Sequence, residues 1–389
     1  MSRRLVIMGS GEISPGMLGV HREVFAGLPD PADARLMDSP FAFQENAGEL
    51  AEKIGQYFAE SLGRPLRPIN LPASADTLTL ERALAAIRAA DWVFAGPGSP
   101  SYARRCWEGT AVLEALADVV APGRNSALVF ASAAAVTLGD WALPVYEIYK
   151  VGEDPRWEPG LGLMSRVLGW RCAVIPHYDN REGGTHDTRF CYVGGRRLAR
   201  IEPELGDGFI LGVDEHTALL LDLEEGTASV AGRSAVTLRV AGVEDVIANG
   251  TRLTISELEA RIAALGVEGA VGSGRTTGPG EPGDLATDPE PGPGAAAEPA
   301  DLARAVLAAL PAEAARERAA VVALVEAAEA ASAAHDRALA GRAVHALVEV
   351  RAQSRAAGDW GASDRLRDVL VALDVEVRDS REGSTWQWM

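Results

Sequence analysis

Cysteine is scarce: three residues in 389, Cys106, Cys172 and Cys191, with no CxxC pair among them. An odd number at wide spacing argues against a disulfide framework or a zinc ribbon. Cys191, in "RFCYVGG", reads more plainly as a small buried apolar residue than as a reactive thiol. Long apolar runs are missing too. No stretch of ~18 uninterrupted apolar residues occurs, so no membrane-spanning helix is expected. The opening "MSRRLVIMGSGE" carries two arginines and then only four apolar residues, too few for a secretory signal. A cytoplasmic protein is expected. Positive charge is in deficit, with 37 Lys and Arg against 55 Asp and Glu, a net charge of −18. That balance argues against a general nucleic-acid surface. Metal-ligand spacing is absent as well: His177, Asp179, His186 and Asp187 are ligand types, but nothing resembles the helical HExxH pattern. No metal and no other cofactor is expected.

What is present is ordinary for a soluble globular chain, with 47% apolar and 24% charged residues. The length implies two domains. Between residues 268 and 300 the sequence turns to glycine, proline, alanine and acidic residues, "EGAVGSGRTTGPGEPGDLATDPEPGPGAAAEPA". Such a stretch buries too little surface to offset its ordering entropy and reads as a flexible linker. It divides an N-terminal domain (1–267) from a C-terminal one (301–389).

The N-terminal part alternates strand-like and helix-like segments. "RLVIMGSG" is strand then turn, "GELAEKIGQYFAESLG" has helical spacing, and "TLERALAAIRAADWVFAGPGSP" is helix, strand and glycine loop. "AVLEALADVVAPGRNSALVFASAAAV" repeats the unit. This order predicts an α/β fold whose mainly parallel sheet is covered by helices on both faces. Ligands gather at the carboxyl ends of such strands, where Gly9–Glu12, Gly96–Tyr102, Ser132 and His177–Asp179 fall. Later, "FILGVDEHTALLLDLEEGTASVAG" and "SAVTLRVAG" read as antiparallel strands at an edge of the same domain. The C-terminal part has apolar residues at three- and four-residue spacing, broken at Pro311 and Gly358–Gly361, and predicts a small helical bundle.

The chemistry centres on "ALVFASAAAVTLGD". A strand enters a small-residue turn at Ser132 and leaves as a helix, the arrangement that lifts a serine hydroxyl above a sheet. The plainer alternative is a tight helix–strand contact. A serine needs an adjacent base, and the base an orienting acceptor. Two segments that follow strands could supply them, "VIPHYDN" and "GVDEHTALLL". Around the oxyanion and substrate, Gly98 with neighbouring Ser99 and the Ala133 amide are the candidates. In "GGTHDTRFCYVGGRRL", Arg189 suits a carboxylate, with His186 and Asp187 for polar contacts. An internal Asp187–Arg189 pair is the structural alternative. Trp107 and Trp141 read as packing residues.

Together "GSGE", "FAGPGSPSYARRCW", the Ser132 corner and "VIPHYDN" resemble the dipeptidase E and cyanophycinase family of serine peptidases, whose fold is related to class I glutamine amidotransferases. The likeness runs from residue 1 to about 230. It implies a three-layer sandwich with Ser132 as nucleophile and His177 as general base. Glu215 stands where cyanophycinases place a glutamate; Glu147 falls where the dipeptidases place an aspartate. Glu215 is narrowly preferred. The family's elbow is Gly-x-Ser-Ala-Gly, and Phe130 and Ala134 depart from it.

A second resemblance lies in the tail. "RAQSRAAGDWGASDRLRDVLVALDVEVRDSREGSTWQW" is similar to the end of cysteinyl-tRNA synthetases, with Asp359, Trp360, Asp364, Arg367, Asp368, Leu370, Asp379, Gly383 and Trp386 fitting. In the synthetases this region helps recognise the anticodon stem. Residues 301–389 hold 11 Arg and no Lys against 14 Asp and Glu, a net of −3. A concentrated positive face, which phosphate binding needs, is therefore not evident.

The expected function is hydrolysis of peptide or other amide bonds through a Ser-His-Glu triad and an acyl-enzyme. The alternative is a silent binding protein of the same fold, with Phe130 occupying the cleft. The tail would serve tRNA or synthetase contact, or packing and dimerisation, and a homo-oligomer is a further expectation.

Overall fold

A computed structural model describes residues 2–266, Val348 and the strands Val375–Ser380 and Gly383–Trp388. The expected linker over 268–300 lies outside the described residues, as does the helical bundle apart from Val348. The chain divides into two compact units, residues 1–74 with 86–276 and residues 75–85 with 277–389. The second unit contains an antiparallel hairpin in which Val375 pairs with Trp388 and Ser380 with Gly383.

Two sheets build the first unit. In chain order the strands are β1 (Arg3–Met8), β2 (Ala34–Met37), β3 (Arg67–Pro68), β4 (Trp92–Ala95), β5 (Ser126–Ala131), β6 (Trp141–Ala142) and β7 (Glu158–Pro159). They continue as β8 (Cys172–Ile175), β9 (Phe209–Val213), β10 (Thr217–Asp222), β11 (Thr227–Gly232), β12 (Ala235–Val240), β13 (Val243–Ala248) and β14 (Arg252–Thr254). The larger sheet has eight strands in the order β14-β11-β10-β1-β5-β4-β2-β3, the smaller six in the order β13-β12-β9-β8-β6-β7. Strands β1, β5, β4, β2 and β3 run parallel, while β10, β11 and β14 extend the sheet antiparallel. In the smaller sheet β6, β8 and β9 are parallel and the outer strands antiparallel.

The α/β class, the parallel core of the larger sheet and the antiparallel C-terminal strands follow the sequence pattern; the smaller second sheet is additional to it. The second sheet needs β6 and β7, two residues each, too short to carry any period. Central strands read as continuous apolar runs because both faces are covered: "WVFA" in β4 and "SALVFA" in β5 are buried throughout.

The helices α1 (Leu18–Ala26) and α2 (Ala47–Leu62) cover one face of the larger sheet. Helix α2 is directed inward by Ala51, Ile54 and Phe58, an i, i+3, i+7 stripe. It ends at Gly63, whose φ of 66° gives the left-handed cap. Phe58, Trp92 and Phe94 form an aromatic wedge, with Phe58 5.2 Å and Phe94 5.7 Å from the Trp92 ring. Helix α3 (Thr77–Ala89) precedes β4. Ser99 caps α4 (Pro100–Trp107), accepting a hydrogen bond from the Tyr102 amide at 3.2 Å, with proline in the first turn. Then come α5 (Val112–Val119), the short α6 (Ser132–Val136), α7 (Leu163–Leu168), α8 (Gly195–Ile201) and α9 (Ile255–Ala264). Thr254 and Glu257 form a reciprocal capping box at the start of α9. Among the described residues no helix is long and apolar enough to cross a membrane.

The sheets meet where the chain passes from β9 to β10 through Asp214, Glu215 and His216. That corner leans on the turn after β1. A Cβ added at Gly9 would lie 2.0 Å from the Asp214 carbonyl oxygen, so only glycine fits there. Gly9→Ala should therefore lower the urea midpoint, by about 1–3 kcal/mol of stability, the usual cost of forcing atoms into filled space. An unchanged midpoint would show that the corner yields freely.

Candidate active site

Three strand ends converge at the seam between the sheets. Ser132 follows β5 of the larger sheet, His177 lies just beyond β8 of the smaller, and Glu215 lies just beyond β9. Helix α6 contacts both β5 and β8, bringing the first two ends together. Ser132 Oγ lies 2.9 Å from His177 Nε2, and His177 Nδ1 lies 2.8 Å from Glu215 Oε1. An ionised carboxylate only accepts, so Nδ1 carries the imidazole proton and Nε2 turns its lone pair toward the serine hydroxyl.

The backbone at this seam is held in an unfavourable region. Ser132 has φ 50°, His177 49° and His216 54°, values that cost of order 1–3 kcal/mol each for residues with a Cβ. A left-handed residue straight after an extended strand is the sharp turn that aims the side chain off the sheet.

Glu215 is fixed from several sides. Asn180 Nδ2 donates to its Oε1 at 2.8 Å, and its own amide donates to Asp179 Oδ1 at 2.8 Å. The hydrogen bond from His177, then that from Asn180, hold its carboxyl below the ordinary carboxylate range against the opposing effect of partial burial. Glu147 lies elsewhere: its Oε2 accepts from Ser101 Oγ at 2.9 Å, on a π-helical turn over Glu147–Val151. Of the two acids open to the sequence, Glu215 is the one on the imidazole.

The glycine loop after β4 reaches the elbow, since the Ala134 amide donates to the Gly96 carbonyl at 3.2 Å. Gly98 has φ 142°, and a Cβ there would lie 2.0 Å from the Pro40 carbonyl oxygen. Among the described residues neither the Gly98 nor the Ala133 amide donates to a protein acceptor. Ser99, expected beside the substrate, has other work: its amide donates to Pro40 at 2.7 Å and its hydroxyl caps α4. Phe130 is fully buried, edge-on to Trp107 at 6.3 Å. It therefore does not occupy an open cleft.

The loop after His177 is partly self-contained. Asp187 accepts from the Arg189 amide at 3.1 Å, from its guanidinium at 2.9 Å twice, and from the Gly195 amide at 2.9 Å. These contacts, the guanidinium first, hold its carboxyl well below the usual range. Asp187 thus organises the loop, and Arg189 stays largely exposed beside it. His186 is exposed. Cys191 is buried, and burial pushes its thiol up to about 12, so it is no nucleophile at neutral pH. Cys106 and Cys172 are likewise buried, with thiols raised chiefly by burial. Among the described residues no group of three His, Cys, Asp or Glu side chains could hold a metal ion.

Sequence reasoning missed Asn180, although it stands in the "HYDN" that drew attention to His177. It placed the segment Gly9–Glu12 at a strand end but gave the Glu12 side chain no role. This carboxyl is 6% exposed, near Gly96 and within electrostatic reach of His177 and His216. Burial raises its pKa above the ordinary 4.5, outweighing the hydrogen bond from its own backbone and the two histidines. The folded state thus keeps a proton that the unfolded chain releases near that value, and stability falls as pH rises through the folded pKa. Glu12→Gln should raise the urea midpoint at pH 7 relative to wild type and close the gap near pH 4. A gap independent of pH would contradict this assignment.

Comparison with known proteins separates the two halves of the chain. Residues 339–387 match the family model described as the cysteinyl-tRNA ligase anticodon binding domain. Over 44 residues the chain is 50% identical to the cysteine–tRNA ligase of Afipia carboxidovorans, covering 11% of this chain and 10% of that protein. Over 54 residues it is 44% identical to the ligase of Phocaeicola vulgatus, covering 14% and 11%. The chain thus spans about a tenth of the length of these relatives. A crystal structure of a peptidase from an acI-B1 Actinobacterium is similar over 65% of this chain and 97% of its own, with a TM-score of 0.52 and 17% identity. At that identity the likeness is one of fold. The described part is a mixed α/β fold with two sheets flanked by helices, similar in fold to that peptidase.

Proposed function

We propose that the N-terminal domain is a serine hydrolase of peptide or other amide bonds. Ser132 Oγ attacks the substrate carbonyl while His177 Nε2 takes the hydroxyl proton. Glu215, fixed by Asn180, keeps the imidazole in the required tautomer and stabilises its charged form. The Gly98 and Ala133 amides receive the developing oxyanion. The tetrahedral intermediate collapses as His177 hands its proton to the leaving amine. Water, deprotonated by the same imidazole, then releases the acid from Ser132. Arg189, exposed beside its ion pair with Asp187, would meet a substrate carboxylate.

The observation that carries this reading is the Ser132–His177–Glu215 chain of contacts at 2.9 and 2.8 Å. The same geometry weighs against the silent binding protein, which required a wide serine–histidine gap and Phe130 in the cleft. Amine release from a panel of dipeptides and tripeptides tests it, with wild type expected to turn over part of the panel and Ser132→Ala none. Equal residual activity in the two proteins would remove the reading.

A second reading concerns the tail. The family match over 339–387 supports contact with a tRNA or with a synthetase partner. A gel shift of the full chain with tRNA transcripts at low salt should show retarded complexes that dissolve as salt rises. No shift at any salt concentration would remove the tRNA half of this reading, leaving a synthetase partner, packing or dimerisation.

A further inference from the structure

One strained segment remains unexplained by the hydrolytic machinery. Phe190, Cys191 and Tyr192 are three consecutive non-glycine residues in the left-handed region, with φ of 59°, 54° and 66°. Such residues occur there singly as a rule. Backbone bonds hold the run in place: the Phe190 amide donates to the Tyr178 carbonyl at 2.9 Å and the Cys191 amide to the His177 carbonyl at 3.2 Å. Its effect is to set the Tyr192 ring beside the imidazole, 5.9 Å between centroids.

The side chain is tethered as firmly as the backbone. Tyr192 Oη donates to Glu182 at 2.8 Å, and the Tyr149 ring lies against it at 5.1 Å. Tyr149 belongs to the π-helical turn Glu147–Val151, which Glu147 fastens to Ser101 on α4. A single π-helical turn inside a fold often marks a functional position. This one links α4, beyond the Gly98 loop, to the loop beyond the histidine. Tyr192 nevertheless remains partly exposed.

We infer that Tyr192, backed by Tyr149, is the specificity wall of the site and selects substrates with an aromatic side chain beside the scissile carbonyl. The inference rests on the hydrolase reading above. An aromatic face adjoining the base offers edge or offset contact to another ring. A cationic side chain, the other partner of an aromatic face, meets like charge already seated on the neighbouring rings. Lys150 already sits over the Tyr149 ring at 4.6 Å, and the Arg189 guanidinium lies over Phe190 at 5.1 Å.

The test measures binding without turnover. In full-length Ser132→Ala, dissociation constants are read by calorimetry for phenylalanine, alanine and arginine amides, with free and acetylated amines. Phenylalanine amide should bind roughly tenfold tighter than alanine amide, and arginine amide no tighter than alanine amide. Adding Tyr192→Leu should erase the preference, while Tyr192→Phe, which keeps the ring and loses the Glu182 tether, should retain most of it. A merely structural role would weaken all ligands together and leave their ratio unchanged. Should Tyr192→Leu fail to fold, Tyr149→Leu reads the same ratio from the backing ring, with a several-fold drop expected. Equal affinities for the three amides, or a ratio untouched by these variants, would overturn the inference. Because no hydrolysis is involved, an inactive wild type would sink the hydrolase reading through a different result.

Discussion

Alanine at His177 is expected to reduce kcat/KM for any peptide substrate by roughly 10^4-fold or more, as losing the base of a serine triad does elsewhere. The imidazole is the only base in hydrogen-bond contact with Ser132 Oγ among the described residues, at 2.9 Å, and a free serine hydroxyl is a poor nucleophile. Because position 177 has φ 49°, alanine there also bears backbone strain. Asparagine tolerates that conformation far better and still cannot act as a base. His177→Asn should therefore melt near wild type and be as inactive as His177→Ala. Retention of a tenth or more of wild-type activity in the asparagine variant would show that some other group removes the proton.

Glu215→Gln should cost about 10^3- to 10^4-fold in kcat/KM, against less than tenfold for Glu147→Gln. A glutamine amide at position 215 can turn a donor toward His177 Nδ1. That favours the tautomer with its proton on Nε2, where it faces Ser132 and cannot accept. Glu147 touches Ser101 rather than the imidazole, so its loss acts only through the position of the π-helical turn. The pair of variants thus separates the two acids on rate alone. Stability should move as well. The folded pKa of Glu215 lies below the ordinary 4.5, so its ionised form stabilises the fold at neutral pH. That contribution should fade as pH falls through the folded value. The gap in urea midpoint between wild type and Glu215→Gln is expected to be open at pH 7 and to narrow in acid.

The readable part of the site was the part written in short, contiguous segments. Small residues flanking Ser132 and polar residues after apolar runs at His177 and Glu215 are local signals, because a buried strand must end where its polar side chains can reach solvent or a ligand. The choice between Glu215 and Glu147 was not local. It depended on the chain crossing from the smaller to the larger sheet at Asp214–His216, and strands β6 and β7 are too short to reveal that the smaller sheet exists. Asn180 and Glu12 were illegible for a related reason. The interactions that tie them to the triad run to groups 35 or more positions away, and neither residue type announces such a partner. The left-handed run ending at Tyr192 left no trace either, since "RFCY" contains no glycine or asparagine to mark it. Phe130 misled in the opposite direction. In the elbow pattern it stands where glycine is usual and suggests a blocked cleft, yet β5 is buried throughout and its ring turns to Trp107.

Mass mapping of the full-length protein after treatment with an alkyl fluorophosphonate tests the central geometry most directly. Trypsin releases residues 125–150 as one peptide, which contains Ser126 and Ser132, and fragmentation tells the two apart. Ser126 is buried with its hydroxyl on the Val119 carbonyl, whereas Ser132 faces the imidazole. The expected result is a single adduct on Ser132, formed in wild type and lost in His177→Asn. An unmodified Ser132 across pH 6 to 9, around the working range of a histidine base, would contradict the account.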